Sequence, residues 1–176
     1  MEKWDLYDEN RQKLGKTIEK GQKHDGAYTL RVHFCLFNSS GKMLIQQRAS
    51  SKKHWPNVWD ITLSGSSQVG ETSKEAITRE VKEEFGLDID FSTERACFTF
   101  NYANCFDDFY IIEKDIEIKD IKFTDGEVQS VAWVTKEEIL QKIRDKNFIQ
   151  YYPSLIEAIF EIREEKGIYL PMTNKY

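Results

Sequence analysis

The segment GSSQVGETSKEAITREVKEEFGL, residues 65–87, concentrates acidic side chains among helix-forming residues. Its acids Glu71, Glu80, Glu83 and Glu84 include pairs three and four residues apart, and like charges at that spacing cost about 0.2–0.5 kcal/mol per pair on a helix. Carboxylate oxygens are the ligands that hard divalent cations such as Mg²⁺ prefer. A bound cation would offset the repulsion, whereas the alternative interpretation is a solvated acidic face.

The residues that flank this acidic run predict a helix over residues 73–85. A capping box of the T-x-x-E form occupies residues 72–75, and Gly86 follows the helix, where a left-handed residue is favoured. At about 100° per residue, Ile77 and Val81 share one side, which must pack against the rest of the protein. The glutamates border this apolar stripe instead of lying opposite it, which favours a bound ligand over a solvated face.

Arg79 is the basic residue best placed to hold these carboxylates. It follows Glu75 by four residues and precedes Glu83 by four, so its planar guanidinium can bind a neighbouring carboxylate and fix its orientation. The helix also follows a predicted strand, WDITL at residues 59–63, through a glycine-bearing loop. Oxygen ligands gathered on a rigid helix in this setting are typical of a cation site.

The remaining patterns predict a mixed sheet flanked by helices, an α/β fold in one domain that covers residues 1–176. Runs of β-branched and aromatic residues indicate the strands, and a second capping box and a proline in a first turn indicate the helices. The predicted strands cover residues 4–15 (a strand, a turn and a return), 28–37, 42–48, 59–63, 96–102, 105–113 and 128–134, and two further helices begin near Thr135 and Pro153.

Composition and charge narrow the class of protein. The chain has 176 residues, an apolar fraction of 40% and a net charge of −5, which fits a folded domain and argues against non-specific binding to nucleic acid or to an anionic membrane. No apolar run approaches the ~18 residues of a membrane helix, and the N-terminus has no signal-peptide core. Three cysteines, at spacings typical of neither a zinc site nor a disulfide framework, indicate free thiols and a cytoplasmic location.

The acidic segment, with the strand order around it, resembles the signature of the Nudix hydrolases, G-x5-E-x7-R-E-U-x-E-E-x-G-U, in which U is aliphatic. The resemblance implies a Nudix-like α/β/α sandwich with a mixed sheet. It also implies hydrolysis of a diphosphate bond by water, with Mg²⁺ or Mn²⁺ as the cofactor. Every fixed position of the signature is filled here, by Gly65, Glu71, Arg79, Glu80, Val81, Glu83, Glu84, Gly86 and Leu87.

The resemblance assigns the metal site to four residues. Glu80, Glu83 and Glu84 resemble the carboxylates that bind the metal in the family. The backbone carbonyl of Ser64 resembles a further ligand. Arg79 resembles the residue that orients the carboxylates, in agreement with its spacing from them.

Other positions of the signature have supporting roles in the family. Glu71 resembles an acid that supports the site without reacting, and Gly65 is assigned to the loop. Family members differ in which carboxylate activates the attacking water. The candidates here are Glu80 and Glu127, although Glu127 is explained equally well as an exposed loop acid.

A second stretch, QRASSKKHWPNVW at residues 47–59, resembles the R-x3-K-x2-WPGVW stretch of type 1 isopentenyl-diphosphate isomerases, which share the Nudix fold. In those enzymes the arginine and the lysine contact the diphosphate, which implies that role for Arg48 and Lys52. A plain surface charge is the alternative for Arg48. The isomerase pattern then requires C-G-H, whereas this chain has S-G-S at residues 64–66. Because a hydroxyl cannot replace a thiol in this proton transfer, we expect a hydrolase of the isomerase-like branch.

Two tryptophans in the same stretch, Trp55 and Trp59, are candidates to cover the group attached to the diphosphate. The loop places them beside Arg48 and Lys52, and an aromatic ring provides a broad apolar contact. Core packing is the alternative for both. The sequence therefore predicts a substrate-binding set of two cations and two aromatic rings.

The sequence leaves the identity of the substrate open. Nucleoside diphosphate sugars, dinucleotides, nucleoside triphosphates and isoprenoid diphosphates all contain the expected bond. We expect a small-molecule diphosphate as the partner, with no membrane and no specific nucleic acid, and the chain is compatible with a homodimer. The two alternatives to hydrolysis are an isopentenyl-diphosphate isomerase-type reaction and a Nudix-fold binding module that has lost its chemistry. Metal-dependent turnover of a diphosphate would exclude the binding module.

Overall fold

A computed structural model describes residues 2–124, 126–164 and 167 of the chain. Two antiparallel strands at the N-terminus form a separate hairpin, and seven further strands form one mixed sheet. None of the described helices is both long and apolar enough to cross a membrane. The elements are β1 (Lys3–Tyr7), β2 (Lys13–Glu19), β3 (Thr29–Phe37), β4 (Met43–Arg48), β5 (Trp59–Asp60), β6 (Leu63–Ser66), α1 (Ser73–Phe85), β7 (Phe98–Tyr102), β8 (Cys105–Glu113), β9 (Val128–Val134), α2 (Lys136–Arg144) and α3 (Pro153–Glu164).

The strand β3 is the centre of the main sheet. It runs parallel to β8 along its whole length, from the pair Thr29 and Cys105 to the pair Phe37 and Glu113. On its other side it pairs antiparallel with β6, and it meets β4 only at its end, through Phe37 and Met43. The strand β4 continues the sheet through antiparallel pairing with β5 and β9. Parallel and antiparallel pairs coexist, so the predicted mixed sheet is confirmed.

The prediction of one strand over residues 59–63 is wrong, because this segment crosses between two partners. The strand β5 pairs with β4, and β6 pairs with β3. At the crossing, the fully buried Thr62 hydroxyl accepts a hydrogen bond from Leu36 N at 2.9 Å and donates to Leu44 O at 2.5 Å. The side chain thus replaces backbone bonds that β3 and β4 do not make to each other where they diverge.

Two layers of helices cover the two faces of the sheet, which confirms the predicted α/β/α sandwich. Successive side chains of a strand point to opposite faces, so β3 contributes to both cores. Phe34 lies in the core under α1 with Ile77 and Val81, whereas Phe37 lies in the core under α2 and α3. The second core also contains the inward residues of these two helices, Ile139, Ile143, Ile156 and Ile159.

The N-terminal hairpin is attached to the main sheet by a small core and an ion pair. Tyr7 packs with Leu30 and Phe106. Arg11, in the turn of the hairpin, forms a bidentate ion pair with Asp108, whose side chain is 2% exposed. A guanidinium held by two hydrogen bonds to one buried carboxylate fixes both distance and orientation. The hairpin is therefore held in one position against β8.

Candidate active site

The helix α1 has the ends that the sequence predicts. Thr72 caps the first turn of the helix. Its side chain accepts a hydrogen bond from Glu75 N, and the Glu75 carboxylate accepts one from Thr72 N. Gly86 ends the helix with φ of 66°, in the left-handed region that favours glycine. Both caps stabilise the two ends of the segment that carries Glu80 and Glu84. The acidic side of the helix is therefore a rigid surface.

Gly65 has a different role from the one that the sequence suggested. It lies within β6 and not in a loop, and its backbone does not have a positive φ. The carboxyl group of Glu80 occupies the place where a Cβ on residue 65 would lie. A side chain at residue 65 would overlap the Glu80 carboxyl, so Glu80 would have to move. The glycine therefore lets the Glu80 carboxyl lie directly against β6.

Arg79 connects the acids of the signature. Its Nε donates to Glu71 Oε1 at 2.6 Å, and its Nη1 lies 2.9 Å from Glu83 Oε2 and 3.0 Å from Glu80 Oε1. Its Nη2 also donates to the carbonyl of Ser66 at 3.0 Å. Glu71 in turn accepts a hydrogen bond from Gln68 N at 2.8 Å. Arg79 thus ties α1, β6 and the loop between them into one unit.

Burial and these charges raise two pKa values, for different reasons. Burial raises the pKa of the Glu80 carboxyl, an effect that Arg79 opposes and the neighbouring Glu83 and Glu2 reinforce. For Arg79, burial opposes the charged form, but its hydrogen bond to Glu71 and the charge of Glu80 raise the pKa of the guanidinium above its ordinary value. Arg79 therefore stays charged, while Glu80 takes up a proton more readily than a surface glutamate.

A cavity of about 360 Å³ lies beside the acidic side of α1. Its wall combines the acids of the helix with cations from other parts of the chain. The predicted metal ligands and both predicted phosphate-binding cations are among its lining residues. The lining residues are Glu2, Lys20, Arg31, Arg48, Lys52, Ser64, Gly65, Ser66, Gln68, Arg79, Glu80, Glu83, Glu84 and Glu127.

The two cations predicted from the second resemblance enter the cavity from β4 and the loop after it. Lys52 forms an ion pair with Glu127, which places the second candidate base directly beside a candidate phosphate contact. Glu127 is also held through its backbone, since its carbonyl accepts from Ala49 N at 2.8 Å. Arg48 donates through Nη2 to the carbonyl of His54 at 3.2 Å.

The two tryptophans are not placed with these cations. Trp55 lies on the loop with 53% of its surface exposed, and it is not among the residues that line the cavity. Trp59 packs against the core under α2 and α3, and Lys142 Nζ lies 5.0 Å from the centre of its ring. Trp59 occupies this core because β5 pairs with β4 at that point. A role for Trp55 at the rim of the site stays a prediction, and Trp59 does not lie where the sequence suggested.

Sequence reasoning missed several residues of the cavity. Lys20 and Glu2 come from the two ends of the N-terminal hairpin and form an ion pair at 2.7 Å. Arg31 comes from β3, and Gln68 from the loop before α1. No local motif marks these residues. They reach the cavity only because the hairpin docks on β8 and because β3 is the neighbour of β6.

The donor types in the cavity fit a hard divalent cation, but their positions differ from a formed metal site. Five of the described glutamates line the cavity together with Ser64, and three of them are the predicted ligands on α1. Oxygen is the ligand that Mg²⁺ and Mn²⁺ prefer. Across the described part of the chain, however, no three acidic, histidine or cysteine side chains surround a common point. The Arg79 guanidinium explains this, since Glu80 and Glu83 both turn towards it. The metal ligands therefore stay a proposal.

Comparison with protein families decides the class of this protein. The family model of the NUDIX domain matches residues 27–154. This chain belongs to the Nudix family. The matched region contains all of α1 and the cations Arg48 and Lys52, whereas the N-terminal hairpin lies outside it.

Individual proteins and solved structures resemble the chain over all or part of its length. An uncharacterized Nudix hydrolase of Listeria innocua is 42% identical over 170 residues, which is 96% of this chain and 99% of that protein. A crystal structure from Deinococcus radiodurans has a TM-score of 0.71 at 27% identity, and the alignment covers 90% of this chain and 97% of the other. The isopentenyl-diphosphate isomerase of Escherichia coli is 40% identical over only 75 residues, 42% of this chain and 41% of that enzyme.

Proposed function

We propose that this Nudix protein hydrolyses a diphosphate bond in a small molecule, with Mg²⁺ or Mn²⁺ as its cofactor. The observation that carries the proposal is the composition of one cavity, in which the acids of α1 face cations from β4 and its following loop. A diphosphate group needs positive charge around its oxygens, and a divalent cation needs oxygen ligands. A wall with both kinds of group suits a metal-bound diphosphate.

Each part of the wall has a distinct task in this proposal. Glu80, Glu83 and Glu84, with the Ser64 carbonyl, would hold the cation, which when bound neutralises charge on the phosphoryl oxygens and makes water a better nucleophile. Arg48 and Lys52 donate charge-assisted hydrogen bonds to the phosphate oxygens and position the bond for attack. Arg79 restrains Glu80 and Glu83 directly, and its bonds to Glu71 and to the Ser66 carbonyl hold Arg79 itself in place.

Two carboxylates are candidates to accept the proton of the attacking water. Glu80 lies in the cavity against Gly65, with 13% of its side chain exposed. Glu127 lies in the same cavity, paired with Lys52. Glu127→Gln decides between them, because loss of the base lowers kcat by about 10²–10⁴-fold. Glu80→Gln lowers kcat in either case, since it also removes a proposed metal ligand.

The first test is a screen of diphosphate compounds with Mg²⁺ or Mn²⁺, in which chromatography detects the phosphate monoesters or the inorganic phosphate released. We expect turnover of at least one compound, and its loss in excess chelator. Turnover that continues in chelator would contradict the metal-dependent mechanism. A metal-dependent wild-type reaction that is unchanged in the double variant Glu83→Gln and Glu84→Gln would contradict the assignment of the ligands.

One observation favours the isomerase alternative, namely the 75-residue similarity to the Escherichia coli isomerase. Against it, Ser64 and Ser66 stand where the isomerase pattern has its cysteine and histidine, and a serine hydroxyl is a poor proton donor and acceptor near neutral pH. We therefore expect no conversion of isopentenyl diphosphate to dimethylallyl diphosphate. Formation of the latter, measured by chromatography, would establish the isomerase instead.

A cytoplasmic location is part of the proposal. Cys35, Cys97 and Cys105 are all free thiols. Burial and the nearby Asp107 raise the pKa of Cys105 to about 11, so this thiol stays protonated and unreactive. Free cysteines are typical of a reducing compartment.

A further inference from the structure

The cavity offers hydrogen-bonding and charged groups but very little apolar surface. Among the described residues that line it, every side chain is charged, amide or hydroxyl, and Gly65 has none. A nucleobase or an isoprenoid tail is bound mainly by aromatic and aliphatic side chains. This cavity is therefore built to recognise the phosphate groups of its ligand, and the organic group must lie outside it.

The basic side chains of the cavity differ in how closely they are paired with carboxylates of the protein. Arg79 is held by three glutamates, Lys20 by Glu2 at 2.7 Å, and Lys52 by Glu127. Two arginines are different. Arg48 donates to the His54 carbonyl, and Arg31 Nε lies 3.8 Å from Asp107 Oδ1, beyond hydrogen-bond distance, with 42% of the Arg31 side chain exposed. The Arg31 guanidinium is therefore held loosely enough to bind a ligand.

Asp107 is itself fixed beside Arg31. The parallel register of β3 and β8 places the two residues opposite each other, and 14% of the Asp107 side chain is exposed. Its Oδ1 accepts from Cys105 Sγ at 3.4 Å and lies 3.5 Å from His33 Nε2, while the His33 ring stacks on Phe109 with centres 4.3 Å apart. Burial opposes its ionisation, but His33 and Arg31 hold the pKa of Asp107 below its usual value, so it is charged at neutral pH.

We propose that Arg31 is a phosphate contact of this site, that Asp107 positions it, and that the site prefers substrates whose phosphate chain ends in a free phosphate. The inference rests on the proposed function. Arg31 on β3 and Arg48 on β4 supply two guanidinium forks from different strands of one cavity. A terminal phosphate has three free oxygens and about one more negative charge than a phosphate esterified on both sides. It can therefore accept more charge-assisted hydrogen bonds from the two guanidinium groups.

Binding of imidodiphosphate, whose P–N–P bridge resists hydrolysis, tests the contact without turnover. Isothermal titration calorimetry in the presence of Mg²⁺ compares wild type with Arg31→Met, Arg31→Lys and the control Arg144→Met, whose exposed side chain bonds Gln141 on α2. We expect about 10- to 100-fold weaker binding for Arg31→Met, partial recovery in Arg31→Lys and no change in the control. Equal affinities for wild type and Arg31→Met, or no binding by wild type, would overturn the proposal.

The positioning role of Asp107 is tested by coupling to Arg31. Asp107→Asn should weaken imidodiphosphate binding by about three- to tenfold, and it should have no further effect in an Arg31→Met background. In turnover, Asp107→Asn should raise KM and leave kcat within about twofold. Additive losses in the double variant, or a lower melting temperature with unchanged KM, would show that Asp107 only stabilises the sheet.

The preference for a free phosphate end is tested with two substrates that share one organic group. Adenosine diphosphate ends in a free phosphate, whereas P1,P2-di(adenosine) diphosphate is esterified at both ends. We expect wild type to favour adenosine diphosphate by about tenfold or more in kcat/KM, and Arg31→Met to reduce that ratio. A preference for the diester would overturn the substrate class. If neither compound is hydrolysed, competition with imidodiphosphate gives the dissociation constant of each compound, and the same preference is expected in these constants. The absence of hydrolysis would then contradict only the proposed function.

Discussion

The Glu80 carboxyl group lies against Gly65, in the volume that a Cβ at residue 65 would fill. Gly65→Ala must therefore displace a side chain that we place in the catalytic centre. We expect kcat/KM to fall by about 100-fold, since displacements of this size at a reacting centre have effects of that order. Gly167→Ala is the matched control, because a Cβ there would meet no atom within 4 Å. Wild-type activity in Gly65→Ala would show that the position of Glu80 is not critical.

Arg79→Lys keeps the positive charge but removes the planar fork that contacts Glu71, Glu80 and Glu83 together. A lysine ammonium cannot make these bonds at once, so the carboxylates should lose their fixed arrangement. We expect kcat to fall by about 100-fold and the free energy of unfolding to fall by about 1–2 kcal/mol. Steady-state kinetics and urea unfolding measure the two effects. A stability loss without a kinetic loss would make Arg79 purely structural.

Glu83→Gln should separate metal binding from stability. Because 52% of the Glu83 side chain is exposed, its ion pair with Arg79 contributes little, about 0.3–0.5 kcal/mol, and removing its charge also relieves repulsion on the helix. We expect most turnover to be lost while the melting temperature without metal changes by less than about 2 °C. Glu137→Gln, on the first turn of α2, is the control. Glu84→Gln is a less selective test, because Glu84 is 4% exposed.

Lys52→Met tests the loop after β4. If Lys52 leaves Glu127 to bind a phosphate, its removal should lower kcat/KM by about 10- to 100-fold, mainly through KM. Lys53 is the exposed neighbour of Lys52 and lies outside the lining of the cavity, so Lys53→Met should leave kcat/KM unchanged.

Trp55→Ala tests the rim of the site, with two substrates that differ only in the group attached to the diphosphate. If Lys52→Met and Trp55→Ala both match wild type on both substrates, this loop does not contact the substrate.

Asp60 predicts a pH dependence of stability that is independent of the site. Burial raises the pKa of its carboxyl, although Tyr151, His33 and the Ile61 amide oppose the shift. A raised pKa means that its contribution to stability is complete below the ordinary value of about 3.9 and is lost as pH rises through the higher native value.

Asp60 Oδ1 accepts from both the Ile61 amide and the Tyr151 hydroxyl, at 2.8 and 2.9 Å, and Asp60→Asn keeps this one oxygen as the acceptor. We therefore expect the variant to equal wild type in melting temperature near pH 4 and to exceed it increasingly towards pH 8. Asp25→Asn, in an exposed loop, should show no such trend. A variant that is less stable than wild type at pH 8 would show that the Asp60 charge is stabilising.

The sequence by itself determined most of the elements of this protein and the residue types of its candidate site. Local rules were sufficient for α1, since capping residues, an apolar stripe and a terminal glycine each act within a few residues. The same local spacing predicts that Arg79 and Glu83 meet, because residues four apart on a helix are neighbours. The signature and the R-x3-K stretch identified acids and cations that the structure brings into one cavity.

Only the tertiary structure decided which distant residues share that cavity and which do not. Lys20 and Arg31 enter it through the docking of the hairpin and the pairing of β3 with β6, and Trp59 is turned into a core by its pairing with β4. Strand order and register depend on burial summed over the whole sheet, so no local pattern specifies them. The tertiary structure also decides the space that Gly65 leaves for Glu80, because this space exists only once β6 and α1 are packed together.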